Sequence, residues 1–167
     1  LADFGWAEKE KLQGRLIDGR YHGIAVGCYL EGGGSGPREN VRMVLESDGT
    51  ISLYTGSSSV GQGVETIMSQ IAADALGLPV SAFNLVIGDT FQTLDAGKTS
   101  ASRQTFVSGR ASEAAAKELR AAILRLTNAG EGASLHLDGA ALIVTENGVS
   151  ARIDLAALPA NADGIVL

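Results

Sequence analysis

The sequence predicts an α+β fold in which two longer helices pack on a mixed or antiparallel sheet. Three observations lead to this prediction. Residues 41–55 alternate apolar and polar side chains around an Asp-Gly pair, which is typical of a β-hairpin. Residues 64–76 and 103–126 place apolar side chains three and four positions apart, the spacing of amphipathic helices. Short strand-like segments joined by Asp-Gly and Asn-Gly pairs follow, an order of elements typical of the α+β class.

The N-terminal part predicts less regular structure before the hairpin. A short helix is expected within residues 3–16, closed by the turn-prone segment IDGR. Residues 21–31, YHGIAVGCYLE, are apolar and partly β-branched, and they predict a strand in which Cys28 is buried and inert. Three consecutive glycines then indicate a loop that leads into the hairpin of residues 41–55.

The remaining elements alternate between helix and strand. The helix of residues 64–76 is expected to end at Gly77, with a proline two positions later. Residues 83–90 predict a buried strand, followed by a polar loop of small residues. A second, alanine-rich helix is expected from 103 or 104 to 126, and three short strands between 135 and 155 complete the chain.

Composition limits the classes of partner. The chain has 167 residues, long enough for one domain or two small lobes, and its net charge is -6. This charge disfavours nucleic acid or an anionic membrane as the main partner, because both attract clustered positive charge.

The single cysteine allows neither an internal disulfide nor a thiolate zinc cluster, so the cytoplasm is the expected compartment. The chain begins with leucine rather than methionine, and we expect it to be part of a longer protein.

Two loops rich in small residues precede the two predicted long helices. These loops, residues 56–63 and 97–104, are called here the first and second loop. The first amide groups of a helix lack partners within the helix and lie at the positive end of its dipole, so they favour anions. Gly61 and Gly63 would let the backbone approach a ligand closely, and Gln62 between them offers a donor and an acceptor. Both loops therefore indicate an anionic, hydrogen-bonding ligand.

Other interpretations of the first loop stay open or are disfavoured. Ser58 or Ser59 could simply cap the helix that follows, which would make the loop structural only. Gly56 and Gly61 have the spacing of a P-loop, but a glutamine and a glycine follow where lysine and serine or threonine are required. The dinucleotide fingerprint also fails, because Thr66 stands at the position of its third glycine.

The titratable residues do not form a recognisable catalytic set. His22 and His136 are far apart in sequence and lack neighbours at metal-ligand or triad spacing, so we interpret them as packing or surface residues. Asp89 and Asp95 could form a pair of carboxylates, but Asp89 lies at the end of a predicted strand, where an aspartate more often caps a turn. Glu131 lies in a glycine-rich segment directly after the second helix, and we expect a turn there as well.

Three motifs, taken in order, resemble one enzyme family. They are GSSSVGQGVETIMSQIAADALGLP, IGDT and GKTSASRQTFVSGRASEAA. Together they look like the molybdopterin-binding large subunit of the xanthine dehydrogenase, aldehyde oxidase and carbon monoxide dehydrogenase family. The resemblance implies one lobe of a molybdopterin-binding domain, with a linker or short helix at 1–20, a core carrying the motifs at 21–127 and hairpins at 128–167.

The resemblance also implies the cofactor contacts. In that family the corresponding loops hold the pterin and pyrophosphate of a molybdenum cofactor, in bacteria often the molybdopterin cytosine dinucleotide. Carried over by position, the residues of the first loop would be Gly61, Gln62 and Gly63, and those of the second loop would be Ser100, Ala101, Ser102, Arg103 and Gln104.

The reaction implied is hydroxylation of an aldehyde or an N-heterocycle with oxygen from water. Electrons would leave through iron-sulfur clusters and usually FAD on other domains or subunits. The family's glutamate base lies near the C-terminus of a much longer subunit, so this chain alone is expected to be inactive. Its expected partners are the remainder of the large subunit, iron-sulfur and flavin subunits, and a small-molecule substrate.

Two rival functions remain at this point. The first is a non-catalytic binding or protein-interaction domain whose glycine-rich loops only cap helices. The second is an isomerase or dehydrogenase that holds a phosphorylated substrate at the same loops, although no base has suitable spacing for it.

Overall fold

The computed structural model describes residues 1–34, 36 and 38–159, and the chain divides into two units with a boundary after Glu31. The first unit contains helix α1, Trp6–Glu10, and an antiparallel pair of short strands. These strands are β1, Leu16–Ile17, and β2, Arg20–Tyr21. The short helix expected near the N-terminus is therefore present, with five residues.

The strand predicted for residues 21–31 is wrong. Of these residues only Tyr21 belongs to a strand, β2. Tyr29 and Leu30 are 92% and 98% exposed, and Cys28, expected to be buried, is exposed as well. An apolar, β-branched composition favours an extended backbone, but a strand also needs a neighbouring strand to complete its hydrogen bonds.

The second unit, from Gly32 onward, begins with a three-stranded sheet. Strands β3, Val41–Leu45, and β4, Ile51–Thr55, form the predicted antiparallel hairpin. Helix α2, Val64–Leu76, then crosses over to β5, Phe83–Ile87, which pairs parallel to β4. The first loop thus joins the end of β4 to the start of α2. Hairpin, helix and strand are confirmed, and the helix ends at Gly77 as predicted, but β5 is half-buried rather than buried.

The second long helix begins with a feature that the sequence did not indicate. Gln104–Ser108 forms a π-helical turn, and helix α3, Gly109–Thr127, continues from it. An antiparallel sheet follows, whose strands are β6, Ser134–Asp138, β7, Ala141–Glu146, and β8, Val149–Asp154. The described residues of the second unit thus form a mixed sheet, an antiparallel sheet and two long helices, which confirms the α+β class. No helix within the described residues is both long and apolar enough to cross a bilayer.

One hydrophobic core joins α2, α3 and both sheets of the second unit. Each contributes fully buried side chains, such as Met68, Leu53, Ile123 and Leu142. Burying a side chain of this size contributes about 1.5–3 kcal/mol. The start of α3 lies so close to α2 that a Cβ at Gly109 would be 2.8 Å from the Ile71 Cδ1 atom. The core therefore holds the starts of both long helices, where the two loops end.

Arg120 of α3 connects the C-terminal end of α2 to the segment that leads into β6. Its Nη1 donates to the Leu76 carbonyl at 2.9 Å, and its Nη2 donates to the carbonyls of Glu131 and Ala133. The carbonyls in the last turn of a helix lack partners within the helix, so this contact supplies one. Glu131 lies in a turn, as predicted.

We predict that Arg120→Met lowers the free energy of unfolding of the 167-residue chain by about 1–3 kcal/mol, because three carbonyls lose a charged donor. Urea denaturation measures this change. Arg125→Met removes the same charge from an exposed position near the end of α3 and serves as the control. Equal effects of the two substitutions would contradict the role assigned to Arg120.

Candidate functional site

The two loops meet around one cavity of about 390 Å³. The lining residues are Val60, Gln62, Thr99, Ser100, Ser102, Arg103, Gln104 and Thr105. Five of the eight residues assigned from the resemblance are in this set. The other three, Gly61, Gly63 and Ala101, lie next to lining residues in the chain. Residues 40 positions apart in sequence are thus brought to a single site.

The first loop is shaped by glycines and by its own glutamine. Gly61 and Gly63 have φ angles of 92° and 77°, which other residues rarely adopt. The Gln62 Oε1 accepts from the Val60 N–H at 2.7 Å, and its Nε2 donates to the Ser58 carbonyl at 3.4 Å. The glutamine amide therefore stabilises the fold of the loop that it belongs to.

The second loop has an unusual backbone just before the π-helical turn. Ala101 and Ser102 are consecutive residues with φ angles of 52° and 48°. A residue with a Cβ pays roughly 1–2 kcal/mol for the left-handed conformation, so neighbouring contacts must hold these two in place. One such contact is the hydrogen bond from the Gly34 N–H to the Ala101 carbonyl, at 3.0 Å.

A buried ion pair holds the second loop from inside. The side chains of Arg103 and Glu39 are 0% and 1% exposed, and Arg103 Nη1 lies 2.8 Å from Glu39 Oε2. The same nitrogen donates to the carbonyls of Ala96 and Lys98. Burial raises the pKa of Glu39 above its ordinary value, while the positive charge of Arg103 opposes this rise. The guanidinium is thus engaged within the protein, although Arg103 also lines the cavity.

The side chain of Gln104 links the two loops. Its Nε2 donates to Thr99 Oγ1 at 2.9 Å and to the Lys98 carbonyl at 3.3 Å. Thr99 Oγ1 in turn accepts from the Ser58 N–H at 3.1 Å and donates to the Ser58 carbonyl at 2.8 Å. Sequence reasoning missed Thr99, because a threonine in a polar loop carries no signal of a contact 41 positions away.

Neither helix start at this site is capped by a side chain. Gly63 precedes α2 and Arg103 precedes the π-helical turn. Neither residue provides a side chain that accepts a hydrogen bond from the first amides of the helix. Ser59 instead accepts from the Gly61 N–H, and its hydrogen bond to Glu65 lowers the pKa of that carboxyl. The capping role considered for Ser58 or Ser59 is therefore not what these serines do at α2. No side chain of a preceding residue therefore caps the first amides of either helix, although the Glu65 N–H interacts with its own carboxylate.

The Gly-Asp-Thr motif follows β5 and forms the wall of a neighbouring cavity. Gly88 and Thr90 line this second cavity of about 380 Å³ together with Ser58. Asp89 accepts from the backbone N–H of Phe91 at 2.8 Å and from the Gln92 side chain, so it closes a turn as predicted. These bonds, the one from Gln92 foremost, lower the pKa of Asp89.

The described residues contain no group of three or more histidine, cysteine, aspartate or glutamate side chains that could hold a metal ion. His22 and His136 are both exposed, in line with the surface role considered for them. What the site offers is polar loops and helix starts, an arrangement that favours anionic groups.

The chain belongs to the molybdopterin cofactor-binding domain family, whose model matches residues 1–164. The resemblance seen in the three motifs is thereby confirmed. The chain is 35% identical over 112 residues to the 6-hydroxypseudooxynicotine dehydrogenase complex subunit gamma of Paenarthrobacter nicotinovorans. The match covers 66% of this chain and 14% of that protein. It is 32% identical over 123 residues to a xanthine dehydrogenase molybdenum-binding subunit of Escherichia coli, covering 71% and 16%.

Solved structures agree with these relatives. The carbon monoxide dehydrogenase from Oligotropha carboxidovorans, in its reconstituted form, matches with a TM-score of 0.50 and 28% identity over 62% of this chain and 13% of that one. A Cu,Mo-CO dehydrogenase in the carbon monoxide reduced state matches with a TM-score of 0.51 and 27% identity. This match covers 65% of this chain and 14% of that one. The chain thus spans about one seventh of the length of the proteins that it matches.

We predict that Arg103→Met lowers the free energy of unfolding by about 3–5 kcal/mol, because it leaves the Glu39 carboxyl buried without its cation. Glu39→Met should have a cost of similar size for the opposite reason. The double variant should recover a large part of the summed loss, because both charges are then gone. Urea denaturation of all four proteins measures the coupling, and strictly additive losses would contradict the ion pair's role.

Proposed function

We propose that this chain supplies one wall of the cofactor site in a molybdenum hydroxylase, an oxidoreductase that hydroxylates an aldehyde or an N-heterocycle with oxygen from water. The observation that carries the proposal is the meeting at one cavity of the first loop, which leads into α2, and the second loop, which leads into the uncapped π-helical turn. Membership of the molybdopterin cofactor-binding family supports it.

The donor set fits the pyrophosphate and pterin of such a cofactor. A pyrophosphate carries negative charge and accepts hydrogen bonds, and free amides at a helix start supply donors in a favourable field. We assign cofactor binding to Gly61, Gln62 and Gly63 of the first loop and to Ser100, Ala101, Ser102, Arg103 and Gln104 of the second. Because the side chains of Arg103 and Gln104 are engaged internally, we propose that these two act on the cofactor through their backbone.

When bound, the cofactor would supply the metal at which substrate is oxidised and water-derived oxygen is transferred. The residues of this chain bind and orient it, and none of them is proposed as catalytic. The base is expected elsewhere in the longer subunit, so the chain alone is proposed to be inactive.

We further propose the cytosine dinucleotide form of molybdopterin, a cytoplasmic location, and electron transfer to iron-sulfur clusters and FAD on other domains or subunits. The names of two relatives support an assembly of several subunits: one is subunit gamma of a dehydrogenase complex and another is the large subunit of nicotine 6-hydroxylase. The remainder of the large subunit would then complete the site.

We predict that Gly61→Ala reduces molybdenum and pterin bound by the complete gene product severalfold. The space around a Cβ at Gly61 is open, so the substitution acts through its positive φ, at a cost of roughly 1–2 kcal/mol in the loop conformation. Metal analysis and pterin fluorescence of the purified protein measure the occupancy.

Gly139→Ala is the matched control. Gly139 also has a positive φ, 56°, and open space around a Cβ, but it lies in the hairpin turn between β6 and β7. The control should bind the cofactor as the wild type does. Unchanged occupancy in Gly61→Ala would contradict the assignment of the first loop.

A further inference from the structure

A directed chain of hydrogen bonds runs from the end of β4 to the second loop. The Thr55 hydroxyl donates to Ser57 Oγ at 3.1 Å, and the Ser57 hydroxyl donates to Ser108 Oγ at 3.3 Å. The Ser108 hydroxyl then donates to Gln104 Oε1 at 2.7 Å. Through Gln104 Nε2 the chain reaches Thr99.

The last hydrogen bonds of this series return to the first loop, because Thr99 binds both the N–H and the carbonyl of Ser58. The series begins at Thr55 and Ser57 and ends at Ser58, after passing through the π-helical turn and the second loop. Both loops are therefore held by one continuous network.

The middle of this network is shielded from water. Thr55 and Ser108 are 0% exposed, Ser57 is 2% exposed and Gln104 is 8% exposed. In such surroundings hydrogen bonds polarise one another, and a donor or acceptor left without a partner is costly. Ser108 also contributes to the orientation of the Gln104 amide, because its hydroxyl donates to the amide oxygen.

We infer that Ser57 and Ser108 are positioning residues. They hold the two loops at the separation that is required for both to bind one ligand. Neither residue lines the cavity, so each acts through Gln104 and Thr99. The inference rests on the proposed function for the identity of the ligand, but not for the coupling between the loops.

The test uses Ser108→Ala in the complete gene product with its natural subunits. Ser112→Ala is the control, because Ser112 is equally buried one turn further along the helix and donates to Met68 Sδ, outside the network. Hydrogen exchange of peptides covering residues 56–63 is the first readout, and molybdenum and pterin content is the second.

Ser108→Ala is expected to increase exchange in the first loop about tenfold, as one lost buried hydrogen bond implies, and to reduce cofactor content. Ser57→Ala should reproduce both effects, because it breaks the same series of hydrogen bonds nearer its start. Ser108→Thr, which keeps the hydroxyl, should restore them toward wild type, and Ser112→Ala should change neither.

Unchanged exchange in the first loop of both alanine variants overturns the inference. The same holds if exchange rises equally in Ser112→Ala, because that result would mean general loosening. If the wild type contains no molybdopterin, the proposed function fails, and the exchange data alone decide the positioning role. If Gly61→Ala loses cofactor but Ser57→Ala and Ser108→Ala do not, the proposed function stands and the positioning role is rejected.

Discussion

The ion pair between Arg103 and Glu39 is the interaction on which the site depends most. Removing two charges from water costs several kcal/mol for each ion, and only close pairing with further hydrogen bonds offsets this. Arg103 meets that condition by binding Glu39 and two carbonyls of its own loop. The backbone from 96 to 103 is thereby wrapped around a guanidinium group, and the left-handed residues Ala101 and Ser102 are held in place.

In this arrangement, the polar side chains and the backbone donors of the loops have different roles. The buried side chains of Arg103 and Gln104 face inward and determine the shape of the second loop, and we propose that backbone amides, rather than these side chains, bind the ligand. The first loop follows the same rule, because Gln62 folds back onto the Val60 N–H and Ser58 carbonyl. Backbone donors held in this way keep their geometry without a ligand, which lowers the entropy cost of binding one.

The sequence predicted those elements whose signal is local. The helix of residues 64–76 has a clear apolar period and a terminal glycine, and the hairpin of residues 41–55 has alternation and an Asp-Gly turn. The strand expected at 21–31 failed because strand formation depends on a partner that local composition does not reveal. The fold class and the family could be predicted, since the motifs lie in the regular elements and the loops between them.

The internal roles of the site residues could not be predicted. An arginine next to serines in a polar loop is expected to face solvent or ligand, since charged side chains are rarely buried without a partner. Its partner, Glu39, lies 64 positions earlier beside a glycine-rich loop and carries no local signal. The π-helical turn was missed for a similar reason, because its residues fit the period of an ordinary helix start.

The central claim is that the two helix starts hold one anionic ligand together. Its most direct test is hydrogen exchange of the wild-type gene product with and without bound cofactor, resolved for the amides of residues 64–66 and 104–106. The account predicts that cofactor protects both sets of amides to a similar extent. Protection of only one set, or of neither, would contradict it.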